Sequence, residues 1–334
     1  MAGKFYGITN APGNSSNKEI LQMRLSEELR KKLLCPTTKT KLVLKGSLLE
    51  STNGSPVQYP IINDVPILIN EEKSLFLIEQ FVNQENTTFE ELSIIKKIVA
   101  AITPGITASV KTENNYKQLA NLLTDGAKIL VVGGSIRGKG MDAIYSNDTF
   151  EIVGSDVSHG PYTTLICDSH DIPFDDEVFD CVILQAVLEH VLDPHQCVSE
   201  VHRVLKKTGV VYAETPFMQQ VHMKQFDFTR FTHLGHRRLF RFFEEIASGP
   251  TCGPGSALAW SYTHLLRSLF ATRSISKFLS IFGRFTSFFL KYLDYIIIDK
   301  PGSYDAAAGM YFLGRKSQKV LSDKDLIEQY QGFK

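Results

Sequence analysis

The chain has no net charge to offer a polyanion: across 334 residues, 36 Lys and Arg balance 36 Asp and Glu. Without a global positive field, nucleic acid is not an expected partner. Cysteine is scarce and scattered, with five residues at 35, 167, 181, 197 and 252 and no CxxC pair. Their odd number and scatter fit a reducing compartment. The opening MAGKFYGITNAPGNSSNK has no long apolar core. It reads as a polar tail and not as a secretory signal, so a cytoplasmic location is expected. No internal repeat is visible, and the length suits one large domain or two modest ones.

What the chain does have is one continuous block, from Lys128 to Phe217. Ile129–Val132 is a short apolar run of the kind buried on both faces of a parallel sheet. Gly133, Gly134 and Ser135 follow at once, and glycine allows both a sharp turn and close approach of a ligand to the backbone. The segment after Lys139 has a helical pattern, so helix-start amides would face the same ligand. Glu151–Val153 reads as a second strand, with Asp156 and Val157 just beyond it. A carboxylate there can accept both hydroxyls of a ribose. Asp168 and Ser169 precede Ile172, Pro173 and Phe174, an acid and an apolar wall able to bracket an adenine. Phe179–Leu184 gives a third buried strand, and Gln185–His190 leaves it into the same region. Each group falls at the carboxyl edge of a parallel sheet, where open α/β folds bind nucleotides.

This block resembles the class I S-adenosylmethionine-dependent methyltransferases, in the subgroup with an LPF…FD…LEHV…DP pattern. Here the pattern stands as IPF at 172–174, FD at 179–180, LEHV at 188–191 and Asp193-Pro194. The resemblance implies S-adenosylmethionine as cofactor, with Gly133 and Gly134 near its methionine part, Asp156 on the ribose and Asp168 on the adenine amine. Ala186 and Val187 would flank it, and Ser135, Val157, Ser169 and Gln185 belong to the same implied site. Two departures stand out. The acid usual within the first strand is Val131, and the glycine triplet is stretched to GGSIRGKG. Each glycine can also serve only to shape a turn.

Pattern divides the remainder. Residues 1–24 are tail and helix start, and leucines recur at helical spacing over 19–34. Residues 25–72 hold short strands with turns at Asn53-Gly54 and Asn63-Asp64. A helical connector spans 73–120, and the enzyme-like domain 121–334 carries a helical insert at 256–299 and a late strand in 306–317. Segment 33–69, opening CP…KTKL and closing YPI…DVPIL, is similar to the zinc-ribbon-like module that activates some tRNA and translation-factor methyltransferases. Cys35 stands alone in it, with Thr38 at the partner position. A tetrahedral zinc needs four ligands, so no metal is expected.

The stretch after the fifth strand, 214–246, gathers His222, Asp227, Arg230, His233 and His236. Histidine can take a proton from a hydroxyl at neutral pH, Asp227 could orient it, and Arg230 could hold an anionic group. His190 of LEHV competes with His222 as the base. Alternatively these are loop residues that pair with one another. This stretch, with 248–261, resembles methyltransferases of bacterial surface-polysaccharide and glycan assembly, which implies a sugar hydroxyl as acceptor, lipid-linked or nucleotide-linked. In the insert, Lys277, Ser280, Arg284, Ser287, Lys291 and Asp294 form a narrow polar stripe on an otherwise apolar helix. Such a helix is buried, in the core or a homodimer, or lies at a membrane surface with its basic chains snorkelling.

The expected fold is therefore α/β: a Rossmann-like seven-stranded methyltransferase sheet, a small N-terminal β module and a C-terminal helical insert. The expected reaction is O-methylation of a glycan hydroxyl. Methylation of an aromatic or quinone hydroxyl, or an inactive scaffold role, are the alternatives.

Overall fold

The structure is a computed structural model that describes residues 23–83, 99 and 101–334. The tail before Met23 and residues 84–98 and 100 of the central connector lie outside the described residues. The strands are β1 (Leu42–Lys45), β2 (Leu48–Ser51), β3 (Gln58–Ile62), β4 (Val65–Leu68), β5 (Lys128–Val132) and β6 (Glu151–Asp156). They continue with β7 (Leu165–Cys167), β8 (Phe179–Gln185), β9 (Leu205–Pro216), β10 (Phe243–Cys252) and β11 (Gly309–Lys316). Among the described residues, helices of seven residues or more are α1 (Thr112–Asn121), α2 (Pro194–Val204), α3 (His233–Leu239), α4 (Pro254–Ser268) and α5 (Arg273–Ser287).

The sheet corrects the expected strand count. Eleven strands run in the order β1-β2-β3-β4-β7-β6-β5-β8-β9-β11-β10. The seven from β7 onward form the anticipated parallel core with an antiparallel end, in which β11 slots between β9 and β10. The extra four come from the N-terminal strands, which join the same sheet. β4 pairs parallel with β7, Ile67 opposite Ile166 and Leu68 opposite Cys167. An edge strand left unpaired would expose its amides and carbonyls, and β4 removes that edge from β7. Cys35 is buried there, with its Sγ 3.3 Å from the Tyr59 hydroxyl and accepting from Thr38 N at 3.3 Å.

Of the helix expected over 19–34, the described part keeps one turn, Glu27–Arg30, capped by the Ser26 hydroxyl accepting from Leu29 N. The leucine spacing still works, because Leu25, Leu29 and Leu33 are buried. The connector contributes Ile78–Val82 and α1.

Helices α4 and α5 pack through small residues. A Cβ on Gly283 would lie 3.2 Å from Thr263 Cα, so the two backbones approach closely. Ser287 and Asp294, two members of the polar stripe, point inward and are buried. Asp294 accepts from Gly255 N at 2.8 Å, Ser256 N at 3.0 Å and Ser256 Oγ at 2.6 Å. It thereby caps the start of α4, where orphan amides and the helix dipole favour a carboxylate. With small residues turned inward, Phe278, Phe282 and Phe285 face out, 66%, 46% and 48% exposed.

His236 belongs to the core and not to the acceptor cluster. It sits on α3 at 2% exposure, with ring centroids 5.2 Å from Phe240 and 6.1 Å from Phe231, and its Nε2 has no partner. Burial, helped by nearby His233, lowers its pKa from 6.5 to about 3. The unfolded chain therefore binds a proton that the fold refuses between pH 6.5 and 3. Stability from this group is complete above pH 6.5 and is lost as pH falls below it. Between pH 7 and pH 5 the loss is about 2 kcal/mol at 1.36 kcal/mol per unit. His236→Phe should flatten that drop when urea midpoints are compared at the two pH values.

Candidate active site

The site lies at the carboxyl ends of β5, β6, β8 and β9. Gly133 follows β5 with φ +71°, a conformation that favours glycine. A Cβ there would meet Val187 Cγ2 at 2.5 Å. Gly134 donates to Ser155 O at 2.9 Å, and a Cβ on it would lie 2.6 Å from Val131 O and 2.9 Å from Gly154 Cα. Both positions are bare backbone by necessity. Ser135 N donates to Asp156 Oδ2 at 3.0 Å, which fixes the acid at the end of β6 against the turn. Burial raises the pKa of Asp156, opposed by hydrogen bonds from Ser135, Val157 and Ser158. The glycine turn and the Asp156 carboxylate thus stand together as a nucleoside site requires, and they fit S-adenosylmethionine.

Other expected contacts are engaged within the protein. Asp168 accepts from Ser74 Oγ at 2.6 Å and from His170 N and Nδ1 at 3.0 and 2.6 Å. Burial pushes its pKa up, but these bonds win and hold it below the usual range. The same bond to Asp168 pushes His170 up to about 10. Ser169 Oγ faces Cys197 Sγ at 3.3 Å. Val157 packs at the margin of the core. Gln185 Nε2 donates to Lys139 O at 3.1 Å and Glu214 Oε2 at 3.0 Å, so its work is to hold the stretched loop. Ala186 takes φ +56°, a conformation that costs a non-glycine residue about 1–2 kcal/mol. Its N–H donates to Glu214 O at 3.0 Å.

Beyond Ala186 the chain turns over the site. His190 and His222 stand edge to face, with ring centroids 4.9 Å apart. His190 Nδ1 lies 2.7 Å from Phe226 O, and His222 Nδ1 lies 3.4 Å from both Gln220 O and Asp227 Oδ2. Asp227 also accepts from His222 N at 2.9 Å and pairs with both terminal nitrogens of Arg230. Burial alone would raise Asp227, but Arg230 and the His222 amide hold it well below the usual carboxylate range. Arg230 is fully occupied by Asp227 and the carbonyls of Gln219, Gln220 and Thr229. His233 is elsewhere, 3.2 Å from Ser248 Oγ. The structure therefore gathers His190, His222, Asp227 and Arg230.

One member of the cluster carries no role in the sequence reading. Glu189 is fully buried, and neither carboxylate oxygen has a hydrogen-bond partner. Burial raises its pKa to about 8. Its Oε1 lies 3.6 Å from His190 Nε2 and 3.8 Å from His222 Nε2. The signal available in sequence was an acid directly before the LEHV histidine at a strand end.

Residues 138–213 match the model of a family described as a methyltransferase domain. With that match the class is set: the chain is an S-adenosylmethionine-dependent methyltransferase, and S-adenosylmethionine is its cofactor. No curated protein matches the chain. Among solved structures, phosphoethanolamine N-methyltransferase 2 of Haemonchus contortus is similar at 15% identity and TM-score 0.41 over 65% of this chain and 54% of that one. Coclaurine N-methyltransferase is similar at 9% identity and TM-score 0.38, over 68% and 73%. The [4+2]-cyclase SpnF is similar at 17% identity and TM-score 0.38, over 66% and 90%.

Asp156→Ala should weaken S-adenosylhomocysteine binding at least tenfold in calorimetry, since one charge-assisted bond contributes about 1.5–3 kcal/mol. Unchanged affinity with an unchanged circular dichroism spectrum would remove Asp156 from the cofactor site.

Proposed function

We propose that the acceptor is a hydroxyl group, most simply that of a sugar on a lipid-linked glycan. The observation that carries this reading is the convergence of three acceptor atoms, a carboxylate oxygen of Glu189 and the Nε2 atoms of His190 and His222. Hydrogen bonds at both Nδ1 atoms leave the Nε2 lone pairs turned inward, so the pocket offers two imidazole acceptors beside the buried Glu189 carboxyl. A hydroxyl proton is what such a pocket takes. The cofactor supplies an electrophilic methyl on sulfur when bound. The chain's part is to hold the acceptor oxygen at the end of β8 and to draw off its proton at this cluster. Met218, Met223, Phe226 and Phe228 are 38–45% exposed beside it and suit the apolar faces of a sugar ring. They suit an aromatic or quinone hydroxyl as well, which is the second reading.

The helical hairpin supports a lipid-linked acceptor. Between residues 254 and 298 the sole acid is Asp294, which is buried, whereas Arg267, Arg273, Lys277, Arg284 and Lys291 are basic. Within this segment the outward aromatic row of α5 is thus accompanied by basic side chains and by no exposed acid, the pairing that anionic lipid surfaces attract. Among the described residues no helix is long and apolar enough to cross a membrane, so the contact is peripheral.

Two measurements test this. With labelled S-adenosylmethionine and a panel of glycosyl, catechol and amine acceptors, label should enter the hydroxyl acceptors. His222→Ala should cut that rate about 10²–10⁴-fold while S-adenosylhomocysteine affinity holds. Transfer to amines alone, or no cofactor binding, rejects the reading. In flotation, the protein should rise with phosphatidylglycerol vesicles and not with phosphatidylcholine, and Phe282→Ser with Phe285→Ser should stay below. A dimer that ignores both vesicles would show that a second copy covers this face.

A further inference from the structure

We propose that Glu189, His190 and His222 form a binding site for one divalent transition-metal ion, placed to hold the acceptor oxygen. The sequence expectation was that the chain binds no metal, argued from Cys35 and its missing partners, and the proposal departs from it. This site is in a different place and uses different ligands.

Three observations carry it. The first is composition: two imidazoles and one carboxylate each offer one ligand atom, and these atoms lie within 4.8 Å of one another. Two histidines and a carboxylate with open positions is a donor set suited to divalent manganese, iron, cobalt or zinc. The second is spacing. Ligands about 2.0–2.2 Å from a four-coordinate ion stand about 3.3–3.6 Å from one another. The two nitrogen–oxygen separations here are 3.6 and 3.8 Å, too long for hydrogen bonds and near the separation that a shared ion sets.

The third is the state of each group's other atoms. Metal-binding histidines commonly donate the remaining N–H to a carbonyl or carboxylate, which fixes the tautomer and the ring. His190 Nδ1 is on Phe226 O, and His222 Nδ1 is between Gln220 O and Asp227 Oδ2. Asp227 is in turn held by Arg230, which therefore cannot also bond Glu189. The Glu189 carboxyl remains fully buried with both oxygens unpartnered, and a charged form there costs free energy until a proton or an ion is bound. Side chains of His190 and His222 keep 18% and 25% exposure, so a further coordination position opens outward.

The proposal deepens the hydroxyl reading and rests on it for the ion's use. A hydroxyl bound to the ion loses its proton to solvent more readily. Its oxygen lone pair then forms the new O–C bond as the C–S bond of the cofactor breaks, and the sulfur keeps that electron pair. The histidines serve as ligands and the ion takes the part assigned above to a base.

The test uses the full chain, stripped with chelator and dialysed against Mn²⁺ or Co²⁺ alone. Elemental analysis should find one ion per chain. Co²⁺ should give ligand-field bands without a thiolate charge-transfer band. His190→Ala and His222→Ala should each lower occupancy at least tenfold at fixed free metal, while His195→Ala keeps it. If either variant misfolds, Mn²⁺ should still broaden the His190 and His222 ring protons of the unaltered protein selectively. Trace binding only, a thiolate band, broadening elsewhere, or full occupancy in both variants would overturn the site. S-adenosylhomocysteine binding that survives chelator while Mn²⁺ fails to bind would reject the metal and leave the methyltransferase standing. Stoichiometric Mn²⁺ without transfer to any hydroxyl would support the site and reject the acceptor.

Discussion

The bend at Ala186 is the constraint on which the active site depends. A β-strand that continued past Gln185 would carry Val187 and Glu189 away from the cofactor turn. Instead Ala186 enters the left-handed region, held there by its N–H bond to Glu214 O. The reversal puts Val187 against Gly133 and swings Glu189 and His190 over the ends of the neighbouring strands. The strain is local, and the adjacent strand supplies the bond that offsets it.

Glu214 serves that bend in two ways. Its backbone oxygen holds Ala186, and its side chain accepts from Gln185 Nε2 and from Tyr212 Oη. Gln185 in turn reaches Lys139 O, so the stretched GGSIRGKG loop is fastened by side chains where a tighter glycine triplet would be held by its own backbone. One half-buried carboxyl on β9 therefore ties the glycine-rich loop and the bend at Ala186 to the same strand end. The expected acid within β5 is absent at Val131, and this tie lies two strands away, on β9.

Much of the parallel core was legible because its strands are short runs apolar on both faces, and period and length then identify them. The strand-end positions of Gly133, Gly134 and Asp156 were legible because the apolar runs before them mark where each strand stops. The eleven-stranded sheet was not legible. The pairing of β4 with β7 depends on two segments nearly a hundred residues apart, and no local pattern records it. His236 was misplaced for a related reason: sequence proximity grouped it with His222, but the turn of α3 points it among Phe231 and Phe240. Glu189 was hidden in a motif read for its histidine, because an unpartnered buried carboxylate is a property of the surroundings and not of the residue type. The α5 helix was read as either buried or at a membrane surface, and which of its faces turns inward followed from Gly283 and Ser287 packing on α4.

The helical block has a further consequence in how it is joined to the rest. It leaves the sheet after Cys252 at the end of β10 and returns at Gly309 at the start of β11, and those two residues are paired neighbours. The whole excursion is therefore a long hairpin loop with its ends already together. Closing such a loop grows costlier only slowly with length, so lineages could lengthen, shorten or exchange this block with little disturbance to the sheet beneath. This block can change on a different evolutionary clock from the sheet that carries the cofactor turn.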